Sequence, residues 1–180
     1  AVALGPTFGV GFQLLAVASR NLGRVQDADG YIKEALNYLD GMTERERYST
    51  RGMFFRLAGD YQPCVKEYGE LIARYAADVA AHNQRALCLS KLRDTRGAVD
   101  AQRRVVELLP NRAIFRDNLA LYLNYDGDFR SAEQEAQTVG DAGAYATLAL
   151  AFAQLGQGRL PAAKETLGTL GRIDALGASL

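Results

Sequence analysis

Residues 43–78 read TERERYSTRGMFFRLAGDYQPCVKEYGELIARYAAD, and this stretch decides the fold. Thr43 opens it with Glu46 three residues later, the spacing at which a hydroxyl and a carboxylate cap a helix N-terminus reciprocally. Tyr48, Phe54, Phe55 and Leu57 then fall close to helical period. Gly59-Asp60 interrupts the pattern, and glycine there accepts the positive φ with which helices commonly end. A second apolar stripe follows through Val65, Tyr68, Leu71 and Ile72. The stretch predicts a helix, a tight turn and a second helix.

The same arrangement recurs along the chain. A small residue stands in the second helix of each copy, at Ala28, Cys64, Ala98, Ala132 and Ala163, with gaps of 36, 34, 34 and 31. A turn glycine precedes four of them, at Gly23, Gly59, Gly127 and Gly158, and Arg93 takes the place of the fifth. A period in this range marks an array whose copies bury their apolar faces only by stacking. Such an array points to a binding surface rather than a catalyst.

The chain resembles an array of tetratricopeptide repeats (TPRs). The second copy carries the pattern as Tyr48, Gly52, Phe55, Gly59-Asp60-Tyr61, Cys64, Tyr68 and Leu71. The first offers Phe12, Leu15-Ala16, Gly23, Ala28 and Ala35, and the third His82, Ala86, Leu89, Ala98 and Pro110. The fourth has Leu119-Ala120, Leu123, Gly127-Asp128-Phe129, Ala132 and Ala136. The fifth has Tyr145, Leu148-Ala149, Phe152, Gly158, Ala163, Leu167 and Leu170, with two extra residues expected in its turn. The resemblance implies an all-α, right-handed superhelical solenoid of about five repeats, at 9–42, 45–78, 79–112, 113–141 and 142–175. Repeat four is short, so its second helix is expected to stop near Gly140 and Gly143. Residues 1–8 read as the end of a preceding repeat and 176–180 as the start of a further helix.

Such arrays typically hold a peptide or partner helix in a groove lined by the first helix of each repeat. Residues three and four apart share one side of a helix, which gives an inner face of Gln13, Val17 and Arg20, then Ser49, Met53 and Arg56, then Asn83, Leu87 and Ser90. The fourth and fifth repeats add Asp117, Leu121 and Asn124, then Ala146, Leu150 and Ala153. Amides such as Asn83 and Asn124 both donate and accept, which suits backbone capture. Met53 and the leucines would supply an adaptable floor. The carboxylate clamp of chaperone-cofactor members does not carry over, because Ala80 and Ile114 stand where basic side chains belong. The resemblance therefore implies a non-catalytic scaffold with a protein or peptide partner and no cofactor. Two alternatives remain: self-association through Leu167, Leu170 and Leu176 at an array end, or a sensor module of a larger bacterial signalling protein such as a serine/threonine kinase.

Composition narrows the classes further. Twenty-one basic residues balance 21 acidic ones, which removes the long-range attraction that nucleic acid or an anionic membrane demands. Residues 79–112 carry a net charge of +4 and residues 113–141 a net of −4, read as neighbours satisfying one another. No apolar run approaches the ~20 residues of a bilayer span, so a soluble chain is expected, with the cytoplasm as its compartment. Cys64 and Cys88 are expected as buried, reduced thiols. His82 is the only histidine and takes a packing position, which leaves no two-histidine zinc motif. Gly5-Pro-Thr-Phe-Gly-Val-Gly11 lacks the Gly-Lys-Ser/Thr of a phosphate loop. Asp126 and Asp128 flank a turn glycine and read as turn residues. The cluster of Lys91, Arg93, Arg96, Arg103 and Arg104 lacks the aromatics of a nucleic-acid surface.

Overall fold

The computed structural model describes residues 8–138 and 143–177, with side chains placed as far as Leu170. Among these residues every regular element is helical. The chain divides into two compact units, Ala1–Leu92 and Arg93–Leu180, and the division falls inside the third expected repeat.

The N-terminal unit holds α1 (Gly9–Asn21), α2 (Val25–Leu36), a 3₁₀ turn at Leu39–Gly41, α3 (Glu44–Ala58), α4 (Tyr61–Arg74) and α5 (Val79–Lys91). Each helix packs on the next in chain order. The capping box forms: Glu46 N–H donates to Thr43 Oγ1 at 3.3 Å, and Thr43 N–H donates to Glu46 Oε2 at 2.8 Å. α3 ends at Gly59 with φ 78°, and Asp60 N–H reaches back to the Phe55 carbonyl at 2.9 Å. The same bond closes three more turns, from Arg24 to Ser19, Asp128 to Leu123 and Arg159 to Gln154, at 2.8, 3.0 and 2.9 Å. Arg93 takes φ 64° without being glycine, a conformation that costs an L-residue about 1–2 kcal/mol. The repeat keeps its turn geometry even where the residue resists it.

The small residues lie where the period put them. Ala28, Cys64, Ala98, Ala132 and Ala163 are all buried, and at such crossings helix backbones approach closely. Gly52 shows why a side chain fails there, since a Cβ would come within 2.7 Å of the Tyr68 ring. Tyr48 is held between Arg51 and Arg74, whose guanidinium carbons lie 4.8 and 4.9 Å from its ring centre. His82 is buried, and its Nε2 donates to the Ala76 carbonyl at 3.0 Å.

One expectation is overturned. Cys64 and Cys88 are buried as expected but are not reduced: they form a disulfide joining α4 to α5. Cys64 occupies the crossing position of α4, and Cys88 faces it from α5 with the Cα atoms 6.3 Å apart. Two small side chains at one helix crossing lie within bonding reach, a juxtaposition that a separation of 24 positions conceals in the sequence.

The C-terminal unit holds α6 (Thr95–Leu108), α7 (Ala113–Asp126), α8 (Phe129–Thr138), α9 (Ala144–Gly156) and α10 (Leu160–Gly177), again packed in chain order, with α7 also on α9. α8 is described as far as Thr138; Gly140 lies outside the described residues and Gly143 caps α9. α9 has 13 residues against 14 in α7, and the turn after it, 157–159, is one residue longer than the turn after α7, where two extra were expected. Gln102, fully buried on α6, donates from Nε2 to the Phe115 carbonyl at 3.0 Å and fixes α7. Two ion pairs and a hydrogen bond join neighbours within this unit: Arg116 pairs with Glu135 at 2.6 Å, Arg159 pairs with Glu133, and the Thr95 hydroxyl donates to Asp126 at 2.7 Å. The remnant helix expected over 1–8 lies outside the described residues except for Phe8, as do residues 178–180 and the Leu176 side chain.

Candidate functional site

The first helices of each unit carry the candidate residues. In the N-terminal unit, Gln13 on α1 and Ser49 on α3 face each other, with Gln13 Nε2 donating to Ser49 Oγ at 2.8 Å. Both are half-buried. They line a cleft of about 190 Å³ together with Arg45, Glu46, Leu71, Asp78, Ala80 and Ala81. Asp78 organises its floor. One carboxylate oxygen accepts from Ala81 N–H at 2.9 Å and caps α5, and the other accepts from Arg45 Nε at 2.6 Å. The Asp78 side chain is 3% exposed whereas that of Arg45 is 60% exposed, so the guanidinium stands at the rim. Its bond to Asp78 raises the Arg45 pKa and holds the charge in place.

Arg45 and Asp78 line the cleft, and the groove register missed both. A sequence signal for Asp78 exists, because an aspartate directly before an apolar periodic segment is a cap signal. Arg45 stands 33 residues earlier, about one repeat, which is the spacing that brings successive repeats together.

Farther along the same helices lie Arg20, exposed, and Arg56, half-buried. Burial lowers the Arg56 pKa and the nearby Arg20 charge lowers it further. The Arg56 Nε is buried without a hydrogen-bond partner. Asn83 and Leu87 are half-buried on α5. Met53 is placed differently: it is 5% exposed in a core cluster with Ala16, Ile32, Ala35 and Met42, so the surface floor expected of it lies in the interior instead.

In the C-terminal unit the corresponding residues are more deeply enclosed. Leu121 is half-buried, while Asp117 and Asn124 are 7% and 8% exposed. Asn124 Nδ2 donates to the Ala149 carbonyl on α9 at 2.8 Å, so this amide joins two helices. Ala146 and Ala153 are buried on α9, and their small size lets α9 come close enough to be reached. Asp117 Oδ1 and Asn124 Oδ1 are buried without partners, and burial pushes the Asp117 pKa up. The structure thus joins Gln13 to Ser49 across α1 and α3, and puts Met53 and Asn124 to structural use.

No family model matches the chain, and no curated protein matches it. Solved structures do. The kinesin light chain TPR-like repeats of Podosopora anserina superimpose with a TM-score of 0.75 at 16% identity, over 96% of this chain and 97% of that one. MamA of Desulfovibrio magneticus gives 0.71 at 17% identity, over 93% and 95%. A thermophilic TPR protein of Thermus thermophilus gives 0.73 at 17%, over 89% of both chains. In fold the chain is a TPR-like repeat protein, built of about five helix-turn-helix repeats. Among the described residues no helix is long and apolar enough to cross a membrane.

Proposed function

We propose that this chain is a non-catalytic interaction module that receives a peptide or partner helix along the α1–α3–α5 face of its N-terminal unit. The observation that carries the reading is the Gln13–Ser49 pair over its cleft. After their mutual bond, Gln13 keeps a free carbonyl oxygen and a second N–H, and the Ser49 hydroxyl keeps its proton. Those groups match what a peptide backbone offers. Asn83 and Leu87 extend the surface on α5. The likeness of fold to the TPR-like proteins above supports a protein partner in general and names none.

A photo-crosslinking residue at Ser49 is expected to capture the partner from native extract, while the same residue at Lys66, exposed on α4, captures none. Equal capture at both positions would sink the groove reading.

Exposed apolar side chains favour a second reading, self-association. Leu14, Leu22 and Val25 are 62%, 70% and 55% exposed on α1, its turn and α2. Tyr145, Phe152 and Leu160 are 62%, 53% and 66% exposed on α9 and α10. A solution mass that rises with concentration would support it. The Cys64–Cys88 bond also favours an oxidising compartment over the expected cytoplasm, checked by counting free thiols in protein denatured straight from its native source.

A further inference from the structure

We infer that Arg20 and Arg56 form an anion site within the groove, and that the segment bound there presents an acidic side chain to them. The inference rests on the groove reading above and names the chemistry of the partner.

Register places the two arginines together. Arg20 lies seven residues after Gln13 on α1, and Arg56 seven after Ser49 on α3. The Gln13–Ser49 bond joins the two helices at one level. Equal seven-residue steps from that bond put Arg20 and Arg56 at the same register, near enough for the Arg20 charge to act on Arg56.

That level lacks a counter-charge. Arg45, Arg51 and Arg74 in the same unit each meet a carboxylate, at 2.6 Å from Asp78, 2.7 Å from Glu67 and 2.9 Å from Glu44. Among the described residues Arg20 and Arg56 meet none, and the residues acting on Arg56 are Tyr68, Tyr61 and Arg20. A charge taken partly out of water without a partner is costly, and a second like charge beside it adds to the cost. Arg85 also has an orphaned Nε, but it lies against Gly69 of α4 rather than α1. An incoming carboxylate would accept from the outer guanidinium nitrogens of Arg56 and from Arg20 at once, in the planar fork geometry that suits guanidinium. Phosphate on nucleic acid fits less well, because the chain carries no net positive charge to draw a polyanion.

The geometry also sets a spacing. Two helical turns separate the Gln13–Ser49 pair from the arginines, about 10.5 Å at 1.5 Å per residue. An extended peptide covers that distance in about three residues. The acidic residue should therefore stand about three positions from the backbone amide held by Gln13 and Ser49.

A displayed library of random dodecapeptides, selected on the full chain at physiological salt, tests this. The expected outcome is a set of binders with aspartate or glutamate at one fixed position. A synthetic binder should lose about ten- to a hundredfold in affinity when that acid becomes its amide, as for a hydrogen bond to a charged group. Arg56→Met should cause a similar loss with an unchanged or higher Tm, and Arg56→Lys should recover part of the affinity. Binders that carry no acidic preference yet are lost on Gln13→Ala would overturn the anion site and leave the groove reading standing. A selection that yields no binder would count against both.

Discussion

Along the first-helix register of the N-terminal unit stand polar side chains: Gln13, Arg20, Ser49 and Arg56. In the C-terminal unit the same register holds Asp117, Leu121 and Asn124, then Ala146, Leu150 and Ala153. The first set keeps hydrogen-bonding capacity unspent, while in the second Asn124 is committed to the Ala149 carbonyl. Side-chain size separates the two. Buried alanines on α9 let it lie against α7, and an amide that reaches a neighbouring backbone is no longer available to a partner. Repeat register fixes where a residue sits; the bulk of its neighbours decides whether it is free.

Three experiments probe this contrast. The largest effect is expected from reducing the Cys64–Cys88 disulfide, which should cost the N-terminal unit about 3 kcal/mol. Amide exchange should quicken in α4 and α5 and stay unchanged in α7 to α9. A rise shared by both units would show that they do not respond separately.

Asn124→Ala should come next, at about 1–3 kcal/mol in urea denaturation, because it strands a buried carbonyl. Ser49→Ala on the half-buried face should cost less than about 1 kcal/mol. Similar losses at the two sites would erase the distinction between a structural and an open face.

Asp117→Asn should give the smallest change, and in the stabilising direction. Burial raises the Asp117 pKa above the ordinary 3.8, so the folded chain holds this proton more tightly than the unfolded chain does. Stability is therefore lost as pH rises through the window between 3.8 and the folded value. The variant should melt higher than the parent at neutral pH, and the gain should shrink as pH falls toward 3.8. A difference that stays constant with pH would mean that burial does not raise the Asp117 pKa.

What the sequence disclosed follows from how local each signal is. Thr43 with Glu46, and the glycines with positive φ, act on their own few residues, so their geometry was legible directly. The crossing residues were legible because the period repeats them. The disulfide was not, since it depends on α5 turning Cys88 toward Cys64 across a helix pair. Nor was the burial of Met53 and Asn124, because inner and outer faces of a first helix differ by only part of a turn. Arg45 and Asp78 escaped the groove register because one precedes α5 and the other opens α3.

The Cys64–Cys88 link also matters for mechanical load. A chain pulled from its ends lengthens as its helices unravel, each freed residue adding up to about 3.6 Å. The 24-residue loop that the link closes carries no tension while the bond is intact, and about 80 Å of reach stays withheld. The α4–α5 joint would therefore keep the end of α4 and the start of α5 tethered after the helices around them had given way.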